Sequence, residues 1–124
     1  MGADEPELLD RATFDDFAGL FEPAELREVV DEWHDDSGRA LAAIEQARAG
    51  GDRARIADIA HRTAGGGMAI GALALARACE RLRAAASSPG PVGAEPVGEP
   101  QVAAVREALA LTYDALIQAA SHSP

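Results

Sequence analysis

Apolar residues recur at three- and four-residue spacing through four successive segments of this chain, a periodicity that suits helices and not strands. The first stripe is Leu26, Val29, Val30, Trp33, Leu41 and Ile44, and the second is Ile56, Ile59, Ala60, Thr63 and Ile70. Leu73, Leu75, Ala76, Cys79 and Leu82 form the third, and Val102, Val105, Leu109, Thr112 and Leu116 the fourth. Much of the 48% hydrophobic content is alanine and only 4% is aromatic, so the core must be thin and the helices close. The expected fold is all-α: an antiparallel four-helix bundle with a short additional N-terminal helix, forming one domain over the 124 residues.

Local signals place the boundaries. Residues 1–12 are acidic with little periodicity and read as a mobile lead-in to a helical body over 13–120. Thr13 reads as the N-cap of a short helix carrying Phe14, Phe17 and Leu20. Pro23 suits the first position of the next helix, which ends at Gly50 and Gly51. Asp52 can cap the third, and Gly71 marks the turn into the fourth. Residues 87–100 hold four of the seven prolines and read as a flexible loop before a last helix from about Gln101 to Ala120.

Charge narrows the partners. Residues 1–36 hold thirteen acids against Arg11 and Arg27, whereas residues 50–86 hold six arginines against Asp52, Asp58 and Glu80. The net charge of −10 and the absence of lysine leave no broad basic stripe, so nucleic acid is not an expected partner. An acidic protein surface meeting the one basic patch fits better. With no long apolar run and no signal-peptide pattern, neither a membrane span nor an export signal is expected, and a cytoplasmic protein is. The single Cys79 excludes an internal disulfide and reads as a small buried hydrophobe.

Chemistry concentrates in Ala60–Ala72, AHRTAGGGMAIGA. At 100° per residue, His61 falls about 140° from Ile56 and outside the buried stripe. Ala54, Ala57, Gly65 and Met68 share its outer face, an unusual set for a solvated helix surface. Three consecutive glycines cost a helix about 1 kcal/mol each relative to alanine. They suit a surface that another backbone approaches closely, although they can equally mark a helix end or tight packing between neighbouring helices.

HRTAGGGMAIGA followed by LARACERLR resembles the histidine-containing phosphotransfer (HPt) domain family. The matching residues are His61, Gly65, Gly66, Gly67, Gly71, Ala72, Leu75, Cys79 and Leu82, and the likeness runs from about Thr13 to Ala120. The family usually carries Leu two and Lys three residues after its histidine; Thr63 and Ala64 stand there here.

The resemblance implies that His61 accepts a phosphoryl group from an aspartyl phosphate on a receiver domain and passes it to another receiver. Receiver docking is expected at Ala54, Ala57, Arg62, Ala64, Gly65 and Met68. Response-regulator receivers, a hybrid sensor histidine kinase, or both are the implied partners of a monomeric phosphocarrier. No cofactor is expected on this chain, since the partner receiver would bring Mg²⁺. The triple glycine lacks the Lys-Ser/Thr of a phosphate loop, so no nucleotide site is expected. Arg39, Arg62 and Arg77 are the candidates for a cation near the phosphate. Two other readings stay open: a degenerate domain that docks a receiver or kinase without transfer, and a metal-binding bundle prompted by Asp31 with His34 and Asp58 with His61.

Overall fold

The computed structural model describes residues 7–87 and 99–121. Among these residues there are five helices and no strand: α1 (Arg11–Ala18), α2 (Pro23–Ala49), α3 (Arg53–Ile70), α4 (Leu73–Ser87) and α5 (Glu99–Ser121).

Helices α1, α2 and α3 each begin where a side chain satisfies a free N–H group. The α1 cap is Asp10, whose carboxylate accepts from the Thr13 N–H at 3.2 Å, so Thr13 is the third residue of the helix and not its cap as expected. A carboxylate three residues ahead wins the N-cap position because it accepts a stronger hydrogen bond than a hydroxyl. Pro23 opens α2, and the Glu25 carboxylate reaches back to the Glu22 N–H at 3.0 Å. Asp52 caps α3 by accepting from the Arg55 N–H at 3.0 Å.

The α3–α4 corner uses only Gly71 and Ala72. Gly71 adopts φ +85°, and the N–H of Ala72 donates to the Gly67 carbonyl at 2.7 Å while that of Gly71 donates to Met68 at 3.2 Å. This pair of bonds closes the helix in the left-handed manner that glycine allows.

Helices α2 and α4 each pack against both α3 and α5. Contacts between opposite ends show that neighbours run antiparallel. Arg53, at the start of α3, donates to the Ala85 carbonyl near the end of α4 at 2.8 Å. Across α2 and α5, the Tyr113 hydroxyl donates to Asp31 at 2.6 Å, while Glu45 pairs with Arg106 and Arg48 with Glu99. All five apolar-stripe residues expected on α5 are buried. On the other helices part of the expected stripe is only half-buried: Val29, Trp33, Leu41, Thr63 and Leu73 are, and the Thr63 hydroxyl donates to the Ile59 carbonyl at 2.8 Å.

The expected lead-in over 1–12 needs correction for its second half; residues 1–6 lie outside the described residues. Asp10 donates from its backbone to the Gly71 carbonyl at 2.9 Å, and Ala74 donates to the Leu8 carbonyl at 3.2 Å. The segment before α1 is therefore tied to the α3–α4 corner, and α1 begins at Arg11. Phe14, fully buried, fills the end of the bundle and contributes roughly 2–3 kcal/mol. The expected loop over 87–100 is trimmed at both ends, since Ser87, Glu99 and Pro100 are helical, and its middle, 88–98, lies outside the described residues.

Candidate functional site

His61 sits mid-way along α3 with its side chain 64% exposed, on the flank that faces α4. An open groove of about 670 Å³ runs beside it, floored by Ala64, Leu73 and Ala76 and bordered by Gly65, Met68, Arg77, Glu80 and Arg81. The antiparallel pairing of α3 with α4 sets this composition, because it brings the C-terminal half of one against the N-terminal half of the other. Gly67 faces α4: a Cβ there would meet the Ala72 carbonyl at 3.4 Å and the Ala76 Cβ at 3.7 Å, ordinary contact distances. Gly65 and Gly66 differ, since a Cβ on either would meet nothing within 4 Å. Of the readings for the glycine run, helix-to-helix packing therefore applies to Gly67 alone, and the helix continues through all three.

The expected docking residues separate into two groups. Ala54, Arg62, Gly65 and Met68 are exposed, and Ala57 is half-buried. Ala64 is not a surface residue: it is 3% exposed and belongs to the core, because it lies on the α4 side of α3. Its expected role as an exposed docking contact is corrected accordingly. It reaches the groove only as floor.

Glu80 is the neighbour that the sequence did not single out. Its Oε1 lies 3.6 Å from His61 Nδ1, and its other oxygen lies 3.6 Å from Arg83 Nη1. The His61 contact is beyond hydrogen-bond length and leaves the carboxylate beside the ring, between α3 and α4. A neutral imidazole carries one unprotonated ring nitrogen, which can act as a nucleophile. Of the cations considered from sequence, Arg62 is held by Asp58 at 3.1 Å and Arg39 by Asp36, whereas Arg77 lines the groove.

The other reactive candidates are occupied or enclosed. Cys79 is buried, and burial first, then the Glu80 charge, pushes its thiol up to about 12, which leaves it inert. Asp31 accepts from Tyr113, and the His34 ring lies against Tyr113 with centroids 4.0 Å apart. The two Asp–His pairs thus face different helices. Among the described residues no cluster of three or more His, Cys, Asp or Glu side chains forms. No described helix is long and apolar enough to cross a membrane.

Comparison with known proteins adds three findings. No curated protein matches the chain. The crystal structure of histidine-containing phosphotransfer protein B (HptB) from Pseudomonas aeruginosa PAO1 is similar in fold, with a TM-score of 0.78 at 20% identity, covering 97% of this chain and all of that one. A family model described as the Hpt domain matches residues 28–119, which takes in α3, its histidine and the groove beside it. The chain belongs to the Hpt domain family and is a histidine phosphotransfer module.

Proposed function

We propose that His61 is the phosphoacceptor, taking a phosphoryl group from the aspartyl phosphate of a response-regulator receiver domain and delivering it to a second receiver. The observation that carries this reading is the exposed imidazole beside bare Gly65, on a helix flank that leaves room for another protein's backbone. In the step, the lone pair of the unprotonated ring nitrogen attacks phosphorus and the P–O bond to the aspartyl carboxylate breaks. The carboxylate leaves with the bonding electrons, and the proton on the other nitrogen stays on the ring. Glu80 lies beside the ring and offsets the positive charge that builds on the imidazole. Mg²⁺ on the receiver would neutralise the transferring oxygens, so this chain needs no metal of its own.

Ala54, Ala57, Arg62, Gly65 and Met68 form the docking footprint in this reading, with Ala64 beneath it. A hybrid sensor histidine kinase and a free receiver are the partner classes, and the chain acts as a cytoplasmic monomer.

One observation favours the second reading, docking without transfer. No free cation stands beside His61 on its own helix, since Ala64 is buried and Arg62 is held by Asp58. A single experiment separates the two. Incubation with a phosphorylated receiver should label the wild-type chain in an acid-labile, base-stable manner, and His61→Gln should carry no label. Receiver binding without any label supports the adaptor reading, and a label that survives His61→Gln removes His61 from the mechanism.

A further inference from the structure

Eight of the eleven arginines make a side-chain hydrogen bond or ion pair among the described residues. Arg55, Arg77 and Arg81 do not, and two of these three line the His61 groove. A guanidinium that no described residue pairs is a cation open to a ligand. On α4 the pair is placed around the histidine. Glu80, the α4 residue in contact with His61, lies about 4.5 Å along the helix axis from Arg77 and about 1.5 Å from Arg81. Arg77 and Arg81 are four residues apart, so both point to the same flank of α4.

We propose that Arg77 and Arg81 hold the phosphoryl group carried on His61, so that the charge stabilising phosphohistidine comes from α4 and not from α3. The inference rests on His61 being the phosphoacceptor. A phosphoryl group brings a charge of roughly −1.5 to −2 and three acceptor oxygens, which suit guanidinium forks. It also arrives next to Glu80, which repels it, so an uncompensated groove would oppose the product. The alternatives on hand are already committed: Arg83 to Glu80 at 3.6 Å and Arg62 to Asp58 at 3.1 Å. Arg77 further borders a second groove lined by Glu7 and Asp10 without pairing with either. Its position between the two grooves leaves it free to turn towards His61.

The test uses the whole chain and phosphoramidate, a small phosphoryl donor, in the reaction of phosphoramidate with imidazole to give phosphohistidine and ammonia. Labelling is followed by ³¹P NMR and intact mass. Arg77→Gln with Arg81→Gln should slow labelling of His61 by about tenfold and flatten its dependence on salt concentration. The double Arg→Lys variant should recover most of the rate, and Arg55→Gln, which removes the third unpaired arginine, should leave it unchanged. Circular dichroism should be the same for all, because neither side chain makes a hydrogen bond or ion pair among the described residues. Equal rates and equal salt dependence in wild type and the double Gln variant would overturn the proposal while leaving His61 as the acceptor. A wild-type chain whose label does not depend on His61 would overturn the phosphoacceptor reading itself, and the proposal with it.

Discussion

A Cβ on Gly71 would lie 2.8 Å from the carbonyl oxygen of Asp10, the residue whose N–H donates to the Gly71 carbonyl at 2.9 Å. The same Cβ would lie 2.9 Å from the Phe14 nitrogen, and the glycine holds φ +85°. Conformation and space both exclude a side chain, and the obstacles are backbone atoms that cannot swing away. Gly71→Ala should therefore destabilise the protein by about 2–4 kcal/mol, combining a left-handed penalty with displacement of α1. Gly67→Ala is the matched control. Its Cβ would make ordinary contacts, and the helix would gain up to about 1 kcal/mol in propensity. Urea unfolding of the two variants should differ clearly in midpoint; similar midpoints would mean that α1 is not pinned at the corner.

Docking is tested where a side chain can be added without disturbing the fold. Gly65 has open space around its Cβ position, so Gly65→Glu should keep helicity while placing bulk and negative charge beside His61. Receiver affinity should fall at least tenfold, by about 1.4 kcal/mol. Leu111→Glu adds the same charge at an exposed position on α5, a helix that does not border the groove, and should leave affinity unchanged. Titration calorimetry of both variants locates the footprint; if Gly65→Glu binds as tightly as Leu111→Glu, the footprint lies elsewhere.

Tyr113 links pH to stability at the α2–α5 interface. Its hydrogen bond to the Asp31 carboxylate, more than its partial burial, raises the phenol above its ordinary value near 10. A phenol that holds its proton more tightly when folded contributes stability that is complete below about pH 10 and is lost as pH rises beyond it. Tyr113→Phe should cost about 1 kcal/mol or less at neutral pH, given the partial exposure. It should also show a shallower decline in stability between pH 9 and 11. Parallel pH profiles for the two proteins would remove the Tyr113–Asp31 bond as their cause.

Thr112 is fully buried on α5, and its hydroxyl has no hydrogen-bond partner among the described residues. Removing a buried, unsatisfied hydroxyl while keeping the branched shape should stabilise the fold. Thr112→Val is expected to raise stability by about 1 kcal/mol, measured as a higher urea midpoint at unchanged slope. A loss of stability would show that the hydroxyl is satisfied in solution.

Signals that act within a few residues were legible in the sequence: the Asp52 cap, Pro23 at the start of α2, Gly71 as a turn, the full α5 stripe and the outward direction of His61. Signals that depend on how one helix meets another were not. Ala64 lies only about 60° around α3 from His61, and it is buried because α4 covers that side. Glu80 and Arg81 join the site through the register between α3 and α4, which the periodicity of either helix alone leaves undetermined. The cap of α1 was misplaced because two nearby residues compete for it. Asp10 and Thr13 can both cap, and the tie of Asp10 to Gly71, far off in sequence, fixes which of them precedes the helix.

The two-residue corner between α3 and α4 also bears on how the molecule assembles. Closing so short a connection sacrifices little chain entropy, whereas α5 must return across eleven residues, 88–98, before it can pack. The hairpin that presents His61 and its arginines is thus the most local long-helix pairing in the chain, and local pairings form fastest. Chain topology therefore favours pairing of α3 with α4 ahead of the docking of α5.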